Sequence, residues 1–256
     1  YNSNSIQCVK PTDYERGEPV ETAEEGKISR YALLSAAAAF LVVIADYLLA
    51  SCVYAEPGTF SLLGCIKIVW LPSEVWRFSL SLHLGLIGLP FWIPGFCALR
   101  TRLARMDPKA AKFFYVTAVV GVCGGIFIHT SLCMMAIVHH AILRGAGAAQ
   151  ELQALAVAAI EDMMVGGLPA FFVLCTTLMV LPQLTFIVTV LRARTTFPKW
   201  YLVFNSMTFM LVSLLVSQFQ HQFFDWMVLA SAPAGYFTLF IISAIHAHTD
   251  VRTPVK

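Results

Sequence analysis

The residues of this chain whose types could support chemistry are few, and several of them stand where lipid belongs. Asp46 lies inside an apolar run at about Ile28–Tyr54, about eight residues from its far end, hence roughly 12 Å deep at 1.5 Å of rise per helical residue. His83 lies about eight residues into a second run, Trp76–Leu99, again roughly 12 Å from the same face. His129 sits roughly 10 Å below that face in a third run, Ala111–Leu143. Arg77 opens the second run, where its long side chain can reach inward or out to the headgroups. A charge at such depth costs at least about 2.5–3.5 kcal/mol to insert, so its default reading is functional.

Three helices thus bring an acid and two imidazoles to one level, beneath a guanidinium. Asp46 with Arg77 would form a charge-assisted pair. Asp46 with His83 or His129 would fix one imidazole tautomer. Gln218 and Asp225 collect at the same rim, with Gln220, His221, Glu161 and Asp162 nearby. The expectation is an outward-facing polar pocket of Asp46, Arg77, His83, His129, Gln218 and Asp225 that binds or transports a small solute or lipid, or relays protons. The plainer alternative is a buried ion pair with hydrogen-bonded histidines that sets helix register. Asn205 and Gln183, nearer the other face, read as interhelical hydrogen-bond glue.

Other chemistries find less support. His139 and His140 are adjacent, so their side chains diverge by about 100° on a helix and chelate poorly. No H-E-x-x-H, P-loop, dinucleotide-binding glycine pattern or nucleophile elbow occurs. The cysteines number 7 without a C-x-x-C spacing, and only Cys52 and Cys65 are placed to pair near one surface. No catalytic residue, metal ligand or cofactor is assigned. Two rivals to the binding reading stay open. One is a membrane-embedded enzyme acting on a lipid, with Asp/His acid–base or metal chemistry from Asp46, His83 and His129. The other is a structural subunit of a larger membrane complex.

The elements that must position these groups follow from composition. The chain has 256 residues, 58% hydrophobic and 12% charged, against about 25% charged in a soluble domain. With mean hydropathy +0.73, this excludes a water-soluble fold and intrinsic disorder. The net charge of +2 is scattered, so nucleic acid is not an expected partner. The expected partners are membrane lipids, a small-molecule or lipid ligand, and other membrane proteins.

Three further runs, Met163–Leu191, Trp200–Phe219 and Phe224–His246, bring the count to six. Each approaches the ~20 apolar residues that cross ~30 Å of hydrocarbon, and their continuity favours helices over strands. The reading is an all-α polytopic membrane protein, a six-helix transmembrane bundle with two short outer interfacial segments, Phe60–Leu71 and Gln150–Ile160. Residues 1–27 form a poorly ordered polar tail, 28–248 the transmembrane domain and 249–256 a short C-terminal tail. Lys and Arg in short connections set orientation. Arg100, Arg102, Arg105, Lys109 and Lys112 follow the second run, Arg192, Arg194 and Lys199 follow the fourth, and Arg252 and Lys256 follow the last. An even number of spans puts all of these, and both termini, on one positively charged side. Pro90 and Pro94, Pro169 and Pro182, and Pro233 fall in the second, fourth and sixth runs, which should kink or open there. Trp70, Trp76, Trp200 and Trp226 suit an interfacial aromatic belt.

Several short stretches resemble an uncharacterised family of six-span bacterial integral membrane proteins. They are Ile44–Asp46, Trp76-Arg77, the run Gly124–His129, and Phe197–Trp200 followed by Phe204-Asn205. Members of that family often carry a proline after the asparagine, where this chain has Ser206. The resemblance implies that Asp46, Arg77 and His129 belong together. It implies no activity.

Overall fold

The computed structural model describes residues 20–51, 53–54, 69–70, 74–145, 150–192, 197, 199–217 and 222–250. The described residues are helical almost throughout. α1 spans Val20–Ala50, α2 Val75–Gly88, α3 Trp92–Ala104 and α4 Pro108–Gly145. α5 spans Gln150–Cys175, α6 Leu181–Arg192, α7 Ser206–Ser217 and α8 Gln222–Asp250. Val53–Tyr54 (β1) and Val69–Trp70 (β2) form a minimal antiparallel pair, with Val53 opposite Trp70. The expected interfacial segment Phe60–Leu71 therefore ends in a strand, and the rest of it lies outside the described residues. Gln150–Ile160 is helical, but it is the first part of α5 rather than a separate surface segment.

Four segments are long and apolar enough to cross a membrane: Ala23–Ala50, Val75–Ala104, Pro108–Ile142 and Ala230–Ala247. They match the first, second, third and sixth runs. The fourth and fifth runs depart from regular helix. The fourth is helical over Gln150–Arg192 but passes through a π turn at Thr176–Val180. In the fifth, a 3₁₀ segment, Lys199–Val203, precedes the 12 residues of α7. At 1.5 Å each these cover about 18 Å, short of a bilayer core. Asn205 explains the break. Its Oδ1 accepts from the backbone N–H of Thr208 at 3.1 Å, which is N-capping geometry. Asn205 thus starts α7 instead of bonding across helices, and its other contacts, to Leu202 O and Thr208, are local too. Gln183 is fully buried in α6, and neither of its amide atoms has a hydrogen-bond partner among the described residues.

α1 packs on α8, α2 and α3, while α4 joins α2 and α3 to α5 and α6. The middle of the bundle is an aromatic layer of Trp92, Phe96, Phe114, Phe186, Tyr236 and Phe240, all buried. Phe96 meets Tyr236 and Phe240 edge-on at 5.2 and 5.4 Å, the orientation the ring quadrupoles favour. The outside is apolar as well. Leu33, Phe40, Phe127 and Leu215 are exposed, which suits hydrocarbon rather than water. Trp76 and Trp200 are also exposed, as the aromatic belt requires.

The prolines act unequally. Pro90 lies in a 3₁₀ segment, Leu89–Phe91, that separates α2 from α3. There the Ser35 hydroxyl of α1 donates to Phe91 O at 2.6 Å and accepts from Gly95 N at 2.7 Å. It is inserted between two groups that a regular helix would pair directly. Pro182 has no N–H to give to the carbonyl four residues back, that of Leu178, and the Tyr236 hydroxyl of α8 donates to that oxygen instead. Pro169 and Pro233 lie inside α5 and α8 without dividing them. The Tyr236 contact predicts that Tyr236→Phe costs about 1–2 kcal/mol, because a buried carbonyl loses its partner. Adding Pro182→Ala should recover part of that loss by restoring an N–H. Equal losses for Tyr236→Phe in both backgrounds, in denaturant titrations of micellar protein, would contradict the pairing.

Candidate functional site

The site is built on three helices. On α2, Ser81 and Gly85 are one turn apart and share a face. Gly85 has no side chain, and the imidazole of His129 from α4 fills the space a Cβ would need, colliding with Cδ2 and Nε2. Seated there, His129 meets Asp46 of α1, with Nδ1 3.0 Å from Oδ1. Its Nε2 lies 2.9 Å from the Ser81 carbonyl oxygen. The Ser81 hydroxyl donates to Ala45 O at 2.7 Å, tying α2 to α1 at the same level. Cys133, one turn further along α4, is buried beside both, 3.5 Å from Ser81 Oγ.

The nearest partner of each ring nitrogen is an oxygen that accepts. With Asp46 ionised, the ring satisfies both as an imidazolium, the counter-charge of the carboxylate. His129 is 6% exposed, while the Asp46 side chain is 18% exposed. The second Asp46 oxygen has no hydrogen bond among the described residues.

The other expected site residues are placed differently. Arg77 donates to Ser51 Oγ at 3.1 Å and does not pair with Asp46. It lies one turn before Ser81 on the same face of α2, so it flanks the pair at the rim. His83 is exposed and bonds Ser79 O of its own helix at 2.6 Å. Two residues beyond Ser81 is about 200° of rotation, which turns His83 away from His129. Gln218 lies outside the described residues, as do Cys52 and Cys65. Asp225 belongs to α8, where only its backbone is described. Among the described residues, no three His, Cys, Asp or Glu side chains converge as metal ligands.

A second polar cluster, at the opposite end of the bundle, was not anticipated. Glu25, assigned from sequence to the tail, belongs to α1 and is 4% exposed. Arg105 Nη1 donates to its Oε1 at 2.6 Å, and buried Arg102 approaches Oε2 at 3.6 Å. Arg102 also donates to His246 Nδ1 at 3.0 Å and lies over the Phe197 ring. The T-x-x-E pattern of Thr22–Glu25 suggests a capping box, but α1 already begins at Val20 and the Glu25 carboxylate turns to Arg105 instead. Glu25→Gln should cost about 3 kcal/mol, since Arg102 would keep its charge and lose its carboxylate. An unchanged unfolding midpoint would show that Arg102 is already solvated.

Residues 13–250 match a family model described as a family of unknown function, DUF6796. The chain belongs to this family. No curated protein and no solved structure matches it. The family brings no assigned chemistry, so the function must be argued from the site.

Proposed function

We propose that this member of the family is a non-enzymatic, six-span membrane protein whose Asp46–His129 pair forms the floor of a small polar ligand site. The two termini and the Lys/Arg-rich turns share one side of the membrane, with the pair near the other. The observation that supports this reading is the half-satisfied carboxylate. His129 holds one oxygen of Asp46, and the other oxygen is left to accept from a donor. The matching ligand carries an ammonium or hydroxyl group, as a small solute or a lipid headgroup does. Arg77, one turn above, can contact an acceptor on the same molecule. Beneath the pair lies the aromatic layer of Trp92, Phe96 and Tyr236, which supports binding at one face.

Burial of His129 favours a second reading, in which the pair only locks α1, α2 and α4 in register. Titration of ethanolamine and glycerol into nanodisc-embedded protein separates the two. Binding predicts a saturable rise in Tm, reaching about 2.7 kcal/mol of stabilisation at a hundredfold excess over Kd, and Asp46→Asn should abolish it. A Tm that neither compound moves would leave the packing role alone.

A further inference from the structure

At the other end of the bundle, α4 and α6 flank an open groove of about 630 Å³, within the range of ligand clefts. Lys109, in the first turn of α4, and Arg192, the last residue of α6, face it. Both are exposed, and neither has an acidic partner among the described residues. The acid in the lining, Asp107, is engaged with its own helix. Its Oδ1 accepts from the backbone N–H groups of Lys109 and Ala110 at 2.9 and 3.0 Å. The walls are apolar: Phe113, one turn below Lys109, faces Leu184 and Val188, and all three are exposed.

Two cations at the mouth and a greasy wall beneath have the polarity of one molecule, a glycerophospholipid with an anionic headgroup. In such a pose the phosphodiester would meet Lys109 and Arg192, and an acyl chain would lie against Phe113, Leu184 and Val188. A soluble phosphate would use the cations and leave the apolar wall idle. Basic pockets between membrane helices on the positively charged side commonly take such headgroups. We infer that the Lys109–Arg192 groove is a binding site for an anionic phospholipid, separate from the Asp46 site and independent of it.

The test is native mass spectrometry of detergent-purified protein titrated with phosphatidylglycerol or phosphatidylcholine. One phosphatidylglycerol should bind in preference to phosphatidylcholine. The Lys109→Ala/Arg192→Ala double variant should weaken it about 25-fold, at about fivefold for each cation near the headgroup. Both positions are exposed, so the variant is expected to fold, and circular dichroism checks this. Lys112→Ala, an exposed cation of the same turn outside the groove lining, should change nothing. The assignment is overturned if the double variant binds as the wild type does, or if both lipids bind equally. It is likewise overturned if glycerol phosphate displaces phosphatidylglycerol at equal concentration, which would make the site one for a soluble phosphate.

Discussion

Asp46→Ala is expected to cost the folded bundle about 3 kcal/mol and to be the most damaging single change at the polar site. Neutral interhelical hydrogen bonds in membranes average only about 0.6 kcal/mol, with a maximum near 1.7. The Asp46–His129 contact should exceed that, because without the carboxylate the buried ring must give up its proton, losing the ion pair and leaving one nitrogen without a partner. Breaking a buried pair from one side costs about 3–5 kcal/mol, and insertion scales price a lone intramembrane charge at about 2.5–3.5 kcal/mol. The 18% exposure of Asp46 places the expectation at the lower end. The reverse change, His129→Ala, should cost less in charge terms, since the stranded Asp46 is the better exposed partner. Unfolding of micellar protein with increasing SDS reads both. A cost for Asp46→Ala under 1 kcal/mol would mean that the pair is an ordinary hydrogen bond.

Gly235→Ala should be at least as severe, about 3 kcal/mol or more, for a different reason. A Cβ there would stand 2.6 Å from the backbone nitrogen of Ser206 and 2.8 Å from the carbonyl carbon of Asn205. These are backbone atoms at the start of α7, held by the Asn205 cap, so no rotamer change relieves the clash. Overpacking of this kind commonly costs 1–3 kcal/mol, and more where nothing can move. α8 would have to retreat from α7, which would disturb the neighbouring Tyr236 contact with the Leu178 carbonyl. Gly166→Ala is the matched control, because nothing lies within 4 Å of its would-be Cβ. It should be neutral or slightly stabilising, alanine being the better helix former by about 1 kcal/mol. Equal unfolding midpoints for the two variants would refute the close approach of α7 and α8.

Particular residues show how much of this was legible. Apolar run length placed the four long spans, because a helix that must cross hydrocarbon declares itself in twenty residues. The fourth and fifth runs were less readable. The breaks there come from single polar events, the freed Leu178 carbonyl and the Asn205 cap, which barely disturb average hydropathy.

At the site, counting residues from the ends of the apolar runs put Asp46 and His129 at one level, and the two side chains do meet. Counting gave no rotation about the helix axis. Rotation decides that Ser81 and Gly85 face His129 while His83 turns away, and that Arg77 meets Ser51 rather than Asp46. Gly85 was the missed clue. A glycine within a span reads as generic close packing, and only the three-dimensional structure shows that an imidazole occupies its vacancy. Glu25 was missed because apolar runs mark the part of a helix in lipid and not where the helix begins.

What is assigned to this site rests on Asp46 of α1 and His129 of α4 forming a charged pair. The most direct measurement is nitrogen-15 NMR of histidine-labelled protein in nanodiscs at neutral pH, with His129 identified from its loss in His129→Gln. A charged pair predicts that both ring nitrogens of His129 carry protons, and that Asp46→Asn converts the ring to a neutral single tautomer. A bare nitrogen on His129 in the wild-type protein, with a spectrum unmoved by Asp46→Asn, would contradict it.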